Sequence, residues 1–234
     1  KPFLVILKTL LFYFFDSLAL FKVTTTTKNK FRLVLIVRQD AIGDFILWLD
    51  TAKEYRKLFP PNKYKIILVG NALWYNLAKE LPYWDEVLPV NTNQFKTLSI
   101  YRWKILKHIQ GLGANIVIQP TYSREFYHGD SLVRASGAFR RVTSVGDMSN
   151  RNWLKKTLAD GWYTELIRTS LGPLTELERN AEFFSGILQK KYVSKCIFGD
   201  GNCLRDYNIV RNQLNSIGVV NLKYPVKEND FIDN

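Results

Sequence analysis

Short apolar runs alternate along the chain with stretches in which apolar residues recur at helical spacing. Four runs rich in Val, Leu and Ile are typical of strands that are buried on both faces of a parallel sheet, at residues 32–37, 65–69, 86–90 and 115–119. Three helical stretches lie between them, at residues 45–59, 71–80 and 98–109. This alternation predicts βαβ units and therefore an α/β fold with a doubly wound parallel sheet.

The pattern weakens after the fourth strand. Residues 141–145 are a candidate fifth strand, and a helix is expected over 174–188, where Thr175 as N-cap and Glu178 three residues later make a capping box. The tail from Gln189 to Asn234 shows no clear alternation over most of its length, so we expect a connector there. The predicted division is an N-terminal segment 1–30, a domain 31–190 and a connector 191–234.

The N-terminal segment has an apolar run from Phe3 to Phe21, close to the length of about 20 residues that spans a bilayer. Lys8 and Asp16 interrupt it, which disfavours a spanning helix. Two interpretations remain open: a helix lying at the interface of an anionic membrane, or a helix docked on its own domain. An exposed linker is expected at Thr24–Thr27, and basic residues flank the run, namely Lys22, Lys28, Lys30 and Arg32.

Composition narrows the protein class. A chain of 234 residues that is 47% hydrophobic and 14% aromatic is folded, with room for one domain or a domain and a half. Its two cysteines, Cys196 and Cys203, cannot make a four-ligand zinc site or a disulfide scaffold, which favours a reducing compartment. The net charge of +12 is expected to attract an anionic lipid or glycan. We do not expect nucleic acid as a partner, because no helix-turn-helix or RNP-like pattern is found.

Part of the positive charge falls in three clusters that we expect on the surface. Besides the N-terminal flank, two clusters lie later in the chain, namely Lys96, Arg102, Lys104 and Lys107, and then Arg134, Arg140, Arg141, Arg151, Lys155 and Lys156. Such a surface would attract a membrane or a phosphorylated glycan.

The loop after the first strand carries the clearest candidate chemistry. It reads RQDAIGDF (Arg38–Phe45), with one glycine instead of a G-x-G-x-x-G fingerprint, and the chain has no P-loop, so neither type of nucleotide site is supported. Gly43 allows close backbone approach of a substrate. Asp44 begins a helix beside the expected cleft, where a carboxylate can act as a general base. The alternative is an acidic residue that merely stabilises a helix N-terminus.

The loop after the fourth strand, QPTYSREFYHGD (Gln119–Asp130), is the second candidate. Arg124 has a guanidinium suited to a carboxylate or phosphate of an acceptor, although it could instead pair with Glu125 or Asp130. Ser123 and His128 are further candidate substrate contacts, with a purely structural histidine as the alternative. A Ser-His-Asp triad is not supported, because no G-x-S-x-G nucleophile elbow is present.

Several of these segments, in this order, resemble one known family. RLVLIV, R-x-D-A-I-G-D, a helix ending at Phe59-Pro60, ELPYWDEVLPV and TELERNAEFF are similar to the N-terminal half of the ADP-heptose:lipopolysaccharide heptosyltransferases, glycosyltransferase family 9. The resemblance covers Arg32–Leu188. Thr175 stands where the family usually has histidine, so any role of that histidine cannot be carried over.

The resemblance implies a two-domain GT-B fold whose Rossmann-like N-terminal domain holds the acceptor. It also implies inverting transfer without a cofactor or metal, from ADP-heptose or another nucleotide sugar, to a lipopolysaccharide inner core or related anionic glycolipid. Asp44 would be the general base, and Asp40 a loop-structuring residue or secondary acceptor contact. The C-terminal donor domain would be absent, so the isolated chain is expected to be inactive.

By the same resemblance, the protein would work in the cytoplasm, at the periphery of the inner membrane. The alternative function is a non-catalytic Rossmann-like module that binds an anionic glycan or membrane lipid.

Overall fold

The computed structural model describes residues 2–21 and 31–194. Within them, a six-stranded parallel sheet has the order β3-β2-β1-β4-β5-β6. The strands are β1 (Arg32–Arg38), β2 (Tyr64–Asn71), β3 (Glu86–Val90), β4 (Ile116–Gln119), β5 (Arg140–Ser144) and β6 (Glu165–Ile167). The order reverses between β1 and β4, as in a Rossmann sheet, and this confirms the predicted fold class.

Nine α-helices accompany the sheet in the described ranges. They are α1 (Pro2–Leu20), α2 (Ile42–Ala52), α3 (Tyr55–Leu58), α4 (Tyr75–Lys79), α5 (Thr92–Phe95), α6 (Ile100–Gly111), α7 (Ser131–Ser136), α8 (Trp153–Asp160) and α9 (Glu176–Leu188). A 3₁₀ turn at Ala72–Trp74 leads into α4, and a π-helical turn at Phe126–Asp130 leads into α7.

Strand β1 is buried on both faces, as its apolar run predicts. Val34 and Ile36 face a core that α2, α3, α4 and α9 complete. Leu35 and Val37 face the opposite core, to which α1, α5, α6 and α7 contribute. Alternate residues of one strand therefore serve two separate cores, and helices cover both sides of the sheet.

The elements depart from the sequence predictions in several places. The first predicted helix is divided into α2 and α3, and the fifth strand begins and ends one residue earlier than expected. The sequence analysis missed α5, α7, α8 and β6 entirely. These elements have 4, 6, 8 and 3 residues, which is too short for hydrophobic periodicity to show.

Helix α9 begins as predicted. Thr175 Oγ1 accepts a hydrogen bond from the Glu178 amide, and Glu178 Oε2 accepts one from the Thr175 amide at 2.7 Å, which completes the capping box. The linker at Thr24–Thr27, both cysteines and the connector beyond Ser194 lie outside the described residues, and the domain boundaries remain predictions.

Helix α1 is docked on the domain, against α6 and α7. Its anchor is Asp16, which is buried and accepts hydrogen bonds from Arg102 Nε at 2.7 Å and Nη2 at 2.5 Å. Residues Phe3–Leu20 are long and apolar enough to cross a membrane by length and composition alone, a test that signal sequences and core helices also pass. Docking on the protein's own domain, one of the two interpretations of this segment, is therefore observed.

Candidate functional site

A cleft of about 400 Å³ opens at the carboxyl ends of β1 and β4, where the strand order reverses. This is the edge at which open α/β sheets bind their ligands. Four carboxylates line it, namely Asp40, Asp44, Glu125 and Glu176. Uncharged groups complete the lining, namely Gln39, Ala41, Thr92, Gln119, Thr121, Tyr122, Ser123, His128, Gly129 and Asn150.

Arg38 holds the floor of this cleft together. It ends β1 and its side chain is fully buried. Its Nη1 donates to the carbonyl of Pro120 at 2.7 Å and to Asn180 Oδ1 at 2.9 Å. Its Nη2 donates to Glu176 Oε1 at 2.7 Å and to the carbonyl of Asp44 at 3.2 Å. One guanidinium thus joins β1, the loop after β4, α2 and α9.

Two cleft carboxylates are paired with this arginine. Asp40 Oδ2 lies 2.9 Å from Arg38 Nε and accepts a hydrogen bond from Thr121 Oγ1 at 3.2 Å. Burial raises the pKa of Asp40 above its ordinary value, although Arg38 opposes this rise. Burial likewise raises the pKa of Glu176, again against the effect of Arg38. Both carboxylates are therefore held in place by the arginine.

Asp44 differs from these two residues. It lies in the first turn of α2, is exposed and lines the cleft. No ion-pair partner for its carboxylate is found in the part of the chain that the structure describes. Only its backbone is tied down, through the bond from Arg38 Nη2 to its carbonyl oxygen. A fixed backbone with an unpaired carboxylate suits a group that must accept a proton.

His128 stands on the π-helical turn at another wall of the cleft. Its Nδ1 lies 3.1 Å from Glu125 Oε2, while its Nε2 is buried without a hydrogen-bond partner among the described residues. Burial, together with the charges of Arg102 and Lys96, lowers the pKa of His128 to about 4. The imidazole is therefore neutral at pH 7, with Nδ1 beside Glu125 and Nε2 buried at the wall of the cleft.

Arg124 does not lie in the cleft, and an acceptor contact by its guanidinium is not what the structure supports. The side chain is fully buried, pairs with Asp160 and lies 3.3 Å from Asp130. Tyr163 extends the network by donating to Asp130 at 2.6 Å. The structure thus shows the pairing of Arg124 with Asp130 that the sequence analysis gave as an alternative. The pair lies in the protein interior and not on the surface.

Of the other predicted site residues, Ser123 lies in the cleft and Gly43 does not. Ser123 lines the cleft and donates a hydrogen bond to Asp147 Oδ2 at 2.9 Å. Gly43 is an exposed residue inside α2 that is not part of the cleft lining, and an added Cβ would meet no atom within 4 Å. The protein fold therefore does not require a glycine at position 43.

The positive charge is distributed differently from the expected surface clusters. Arg102 and Arg151 are buried, each beside at least one carboxylate. No Lys or Arg among the described residues lines the cleft. Within residues 2–21 and 31–194, no group of three or more His, Cys, Asp or Glu side chains could hold a metal ion. The cleft is thus an acidic and polar site.

The sequence analysis missed Arg38, Glu176 and Asn180 as parts of this site. A signal for Arg38 was present, since a charged residue directly follows a fully apolar central strand. Glu176 and Asn180 belong to the segment TELERNAEFF, which carries part of the family resemblance, but no site role was predicted for them, and they are separated from Arg38 by 138 and 142 residues in the chain.

The chain matches no protein-family model and no curated protein. Solved structures do match. E. coli heptosyltransferase WaaC with ADP is 18% identical, with a TM-score of 0.51 over 75% of this chain and 52% of that chain. The complex of WaaC with ADP-2-deoxy-2-fluoro heptose is 16% identical, with a TM-score of 0.54 over 75% and 53%.

A glycosyl transferase family 9 protein from Veillonella parvula DSM 2008 is 16% identical, with a TM-score of 0.53 over 70% of this chain and 43% of that chain. The chain spans about half the length of the WaaC structures that it matches. The resemblance predicted from the sequence is thereby confirmed for the fold, since about half of each WaaC chain has the fold found here.

Proposed function

We propose that this chain is the acceptor-side half of an inverting glycosyltransferase, with Asp44 as the general base. The observation that carries the proposal is the state of the cleft carboxylates. Asp40 and Glu176 are paired with Arg38, and Glu125 lies against His128, whereas the Asp44 carboxylate has no such partner among the described residues. A base must be ionised and accessible to a hydroxyl, and Asp44 combines an exposed carboxylate with a fixed backbone.

The proposed reaction is a single displacement. The acceptor hydroxyl oxygen attacks the anomeric carbon of the donor sugar while Asp44 takes the hydroxyl proton. The bond between that carbon and the diphosphate oxygen breaks, and the nucleoside diphosphate leaves with the electron pair. Inversion follows because attack and departure occur on opposite faces of the sugar. Ser123 and His128 also line the cleft and would contact the acceptor there.

The donor would be a nucleotide sugar. The WaaC structures contain ADP or an ADP-heptose analogue, so ADP-heptose or another nucleotide sugar is the donor class we propose. In a GT-B enzyme, a second domain would hold that nucleotide. No cofactor or metal is assigned a step.

The acceptor would be a sugar hydroxyl of a lipopolysaccharide inner core or a related anionic surface glycan. Since four carboxylates and no described Lys or Arg line the cleft, the part of the acceptor inside the cleft would be uncharged. Its phosphates or carboxylates would remain outside. We propose a cytoplasmic location, with the protein at the inner membrane surface.

The test is Asp44→Asn, in the protein expressed with whatever sequence follows Asn234 in its gene. Transfer is measured from a nucleotide sugar to core oligosaccharide. Loss of a general base is expected to lower kcat by about 10²–10⁴-fold with little change in acceptor binding. Glu125→Gln makes the same carboxylate-to-amide change within the cleft and is expected to cost less than about tenfold.

Wild-type turnover in Asp44→Asn would show that the base is assigned wrongly. If the wild-type protein bound the oligosaccharide but transferred no sugar from any donor, the proposed enzyme would be wrong. The non-catalytic binding module would then be the better description.

A further inference from the structure

Helix α1 has two faces of different character. The inner face contacts the domain through buried residues at helical spacing, namely Thr9, Phe12, Asp16 and Ala19. From Leu7 onward the outer face consists of large apolar side chains that are 42% to 64% exposed, namely Leu7, Leu10, Leu11, Phe14 and Leu18. The first turns of the helix are exposed on all sides, with Phe3, Leu4, Val5 and Ile6 at 39% to 72%, and Phe21 after the helix is 71% exposed. At 1.5 Å per residue, this apolar surface is about 28 Å long.

The contacts of the inner face fix how the helix lies. Besides its bond to Asp16, Arg102 donates to the carbonyls of Phe95 and Tyr127, at 2.8 and 2.7 Å. Arg134 Nη2 donates to Ser17 Oγ at 2.6 Å. For α1 to leave the domain and cross a bilayer, Asp16 would have to separate from a buried arginine, which would leave two uncompensated charges. The helix therefore stays along the domain surface.

Three lysine side chains lie along α1, two over the Tyr127 ring where the helix meets the domain and one at its C-terminal end. Lys8 Nζ lies 5.1 Å from the centre of the Tyr127 ring, and Lys155 Nζ lies 4.5 Å from the same ring. Lys107 Nζ donates to the carbonyl of Phe21 at the end of the helix, at 3.2 Å. The sequence that follows, from Lys22 to Lys30, adds three lysines and no acidic residue. The one acidic residue of α1, Asp16, is buried and paired.

We infer that the outer face of α1 binds the surface of a bilayer containing anionic phospholipid, with the helix axis parallel to the membrane plane. An apolar face inserts between lipid headgroups, and nearby lysines pair with lipid phosphates. The inference does not depend on the proposed catalytic activity.

The test is co-sedimentation of the full 234-residue chain with vesicles of phosphatidylcholine alone or with about one-third phosphatidylglycerol. We expect the protein to bind the anionic vesicles and to bind the neutral vesicles much more weakly. Binding to the anionic vesicles should decrease as the salt concentration is raised. A triple variant, Leu7→Ser, Leu11→Ser and Phe14→Ser, removes apolar side chains that are 42%, 51% and 64% exposed. It should bind at least about tenfold more weakly with unchanged thermal stability.

The matched control is Phe139→Ser with Leu171→Ser, which removes apolar side chains that are 91% and 102% exposed elsewhere on the protein. This variant should bind vesicles like the wild type. Bound wild-type protein should also be released by alkaline carbonate, as expected for a helix lying in the interface.

Three results would overturn the inference. They are undiminished vesicle binding by the triple variant, equal binding to neutral vesicles, and resistance to carbonate extraction, which would indicate a spanning helix. If the wild-type protein were a dimer and the triple variant a monomer that still bound vesicles, the outer face would instead be assigned to contact with a second copy of the chain. None of these outcomes bears on Asp44, so the two proposals fail separately.

Discussion

Replacing Arg38 with methionine tests whether one guanidinium organises the cleft. Methionine keeps most of the side-chain length but removes every hydrogen bond that Arg38 donates. Asp40 and Glu176 would then lose their cationic partner, and the carbonyl of Pro120 would lose its bond at 2.7 Å. The change therefore leaves two partly buried charges uncompensated.

The magnitude follows from burial. Arg38 is fully buried, and removing one partner of a buried ion pair costs about 3–5 kcal/mol. For a domain of this size, each kcal/mol lowers Tm by about 2–4 °C, so we expect Arg38→Met to unfold about 6–20 °C below the wild type. The surface pair Arg56–Asp85, at 3.1 Å, is the matched control, and Arg56→Met should cost only about 0–1 kcal/mol.

The pH dependence of this variant gives a second measurement. Loss of Arg38 should raise the pKa values of Asp40 and Glu176 further above their ordinary values of 3.8 and 4.5. The folded state would then bind more protons than the unfolded state, so stability should fall as pH rises from about 4 towards the raised pKa values. Thermal unfolding followed by circular dichroism from pH 4 to 8 measures both effects. A Tm within about 2 °C of the wild type at pH 7 would refute the reasoning.

Three further predictions concern single residues of the cleft and its surroundings. His128 is neutral in the folded state down to a pKa of about 4, whereas its ordinary value is 6.5, so the unfolded state binds the extra proton between these values. Stability measured by urea unfolding should therefore fall as pH is lowered from about 6.5 to 4, and His128→Gln should flatten this slope; an unchanged slope would contradict the assignment. Gly146 has a φ of +63°, and a Cβ there would lie 2.3 Å from the carbonyl oxygen of Tyr122, so Gly146→Ala should cost at least about 1–3 kcal/mol in the same assay. Gly43→Ala, where nothing lies within 4 Å, should be neutral or stabilising by up to about 1 kcal/mol, and a loss larger than that would contradict the helical environment found for it.

The sheet could be predicted from the sequence because its strands carry their own signal. Residues such as Val34 to Val37 are apolar on consecutive positions, which only a strand covered on both faces requires. The capping box of α9 was equally local, since Thr175 and Glu178 are three residues apart. By contrast, α8 presents WLKKTLAD, in which Ala159 alone is fully buried, so too few positions repeat to reveal a helix.

The site was predicted only as far as it is local. Asp44 and Asp40 could be identified because they follow a strand directly, at the edge where ligands bind. Arg124 could not be judged, because its environment depends on Asp160, which lies 36 residues away on a helix that the pattern did not show. Whether an arginine faces a ligand or the protein interior depends on partners that are distant in the chain. The pattern of hydrophobic and polar residues does not predict those partners.

The π-helical turn connects helix α1, which carries the proposed membrane face, to the cleft. In the π-helical turn at Phe126–Asp130, the Tyr127 ring lies 4.5 Å from the ring of Phe12, and its hydroxyl lies 3.1 Å from Thr9 of α1. The next residue, His128, lines the cleft. If α1 lies in the membrane surface, this turn connects the inner face of the lipid-bound helix to a wall of the cleft. We then expect a glycan attached to that membrane to present its hydroxyl to Asp44 while its anionic groups stay outside the acidic cleft.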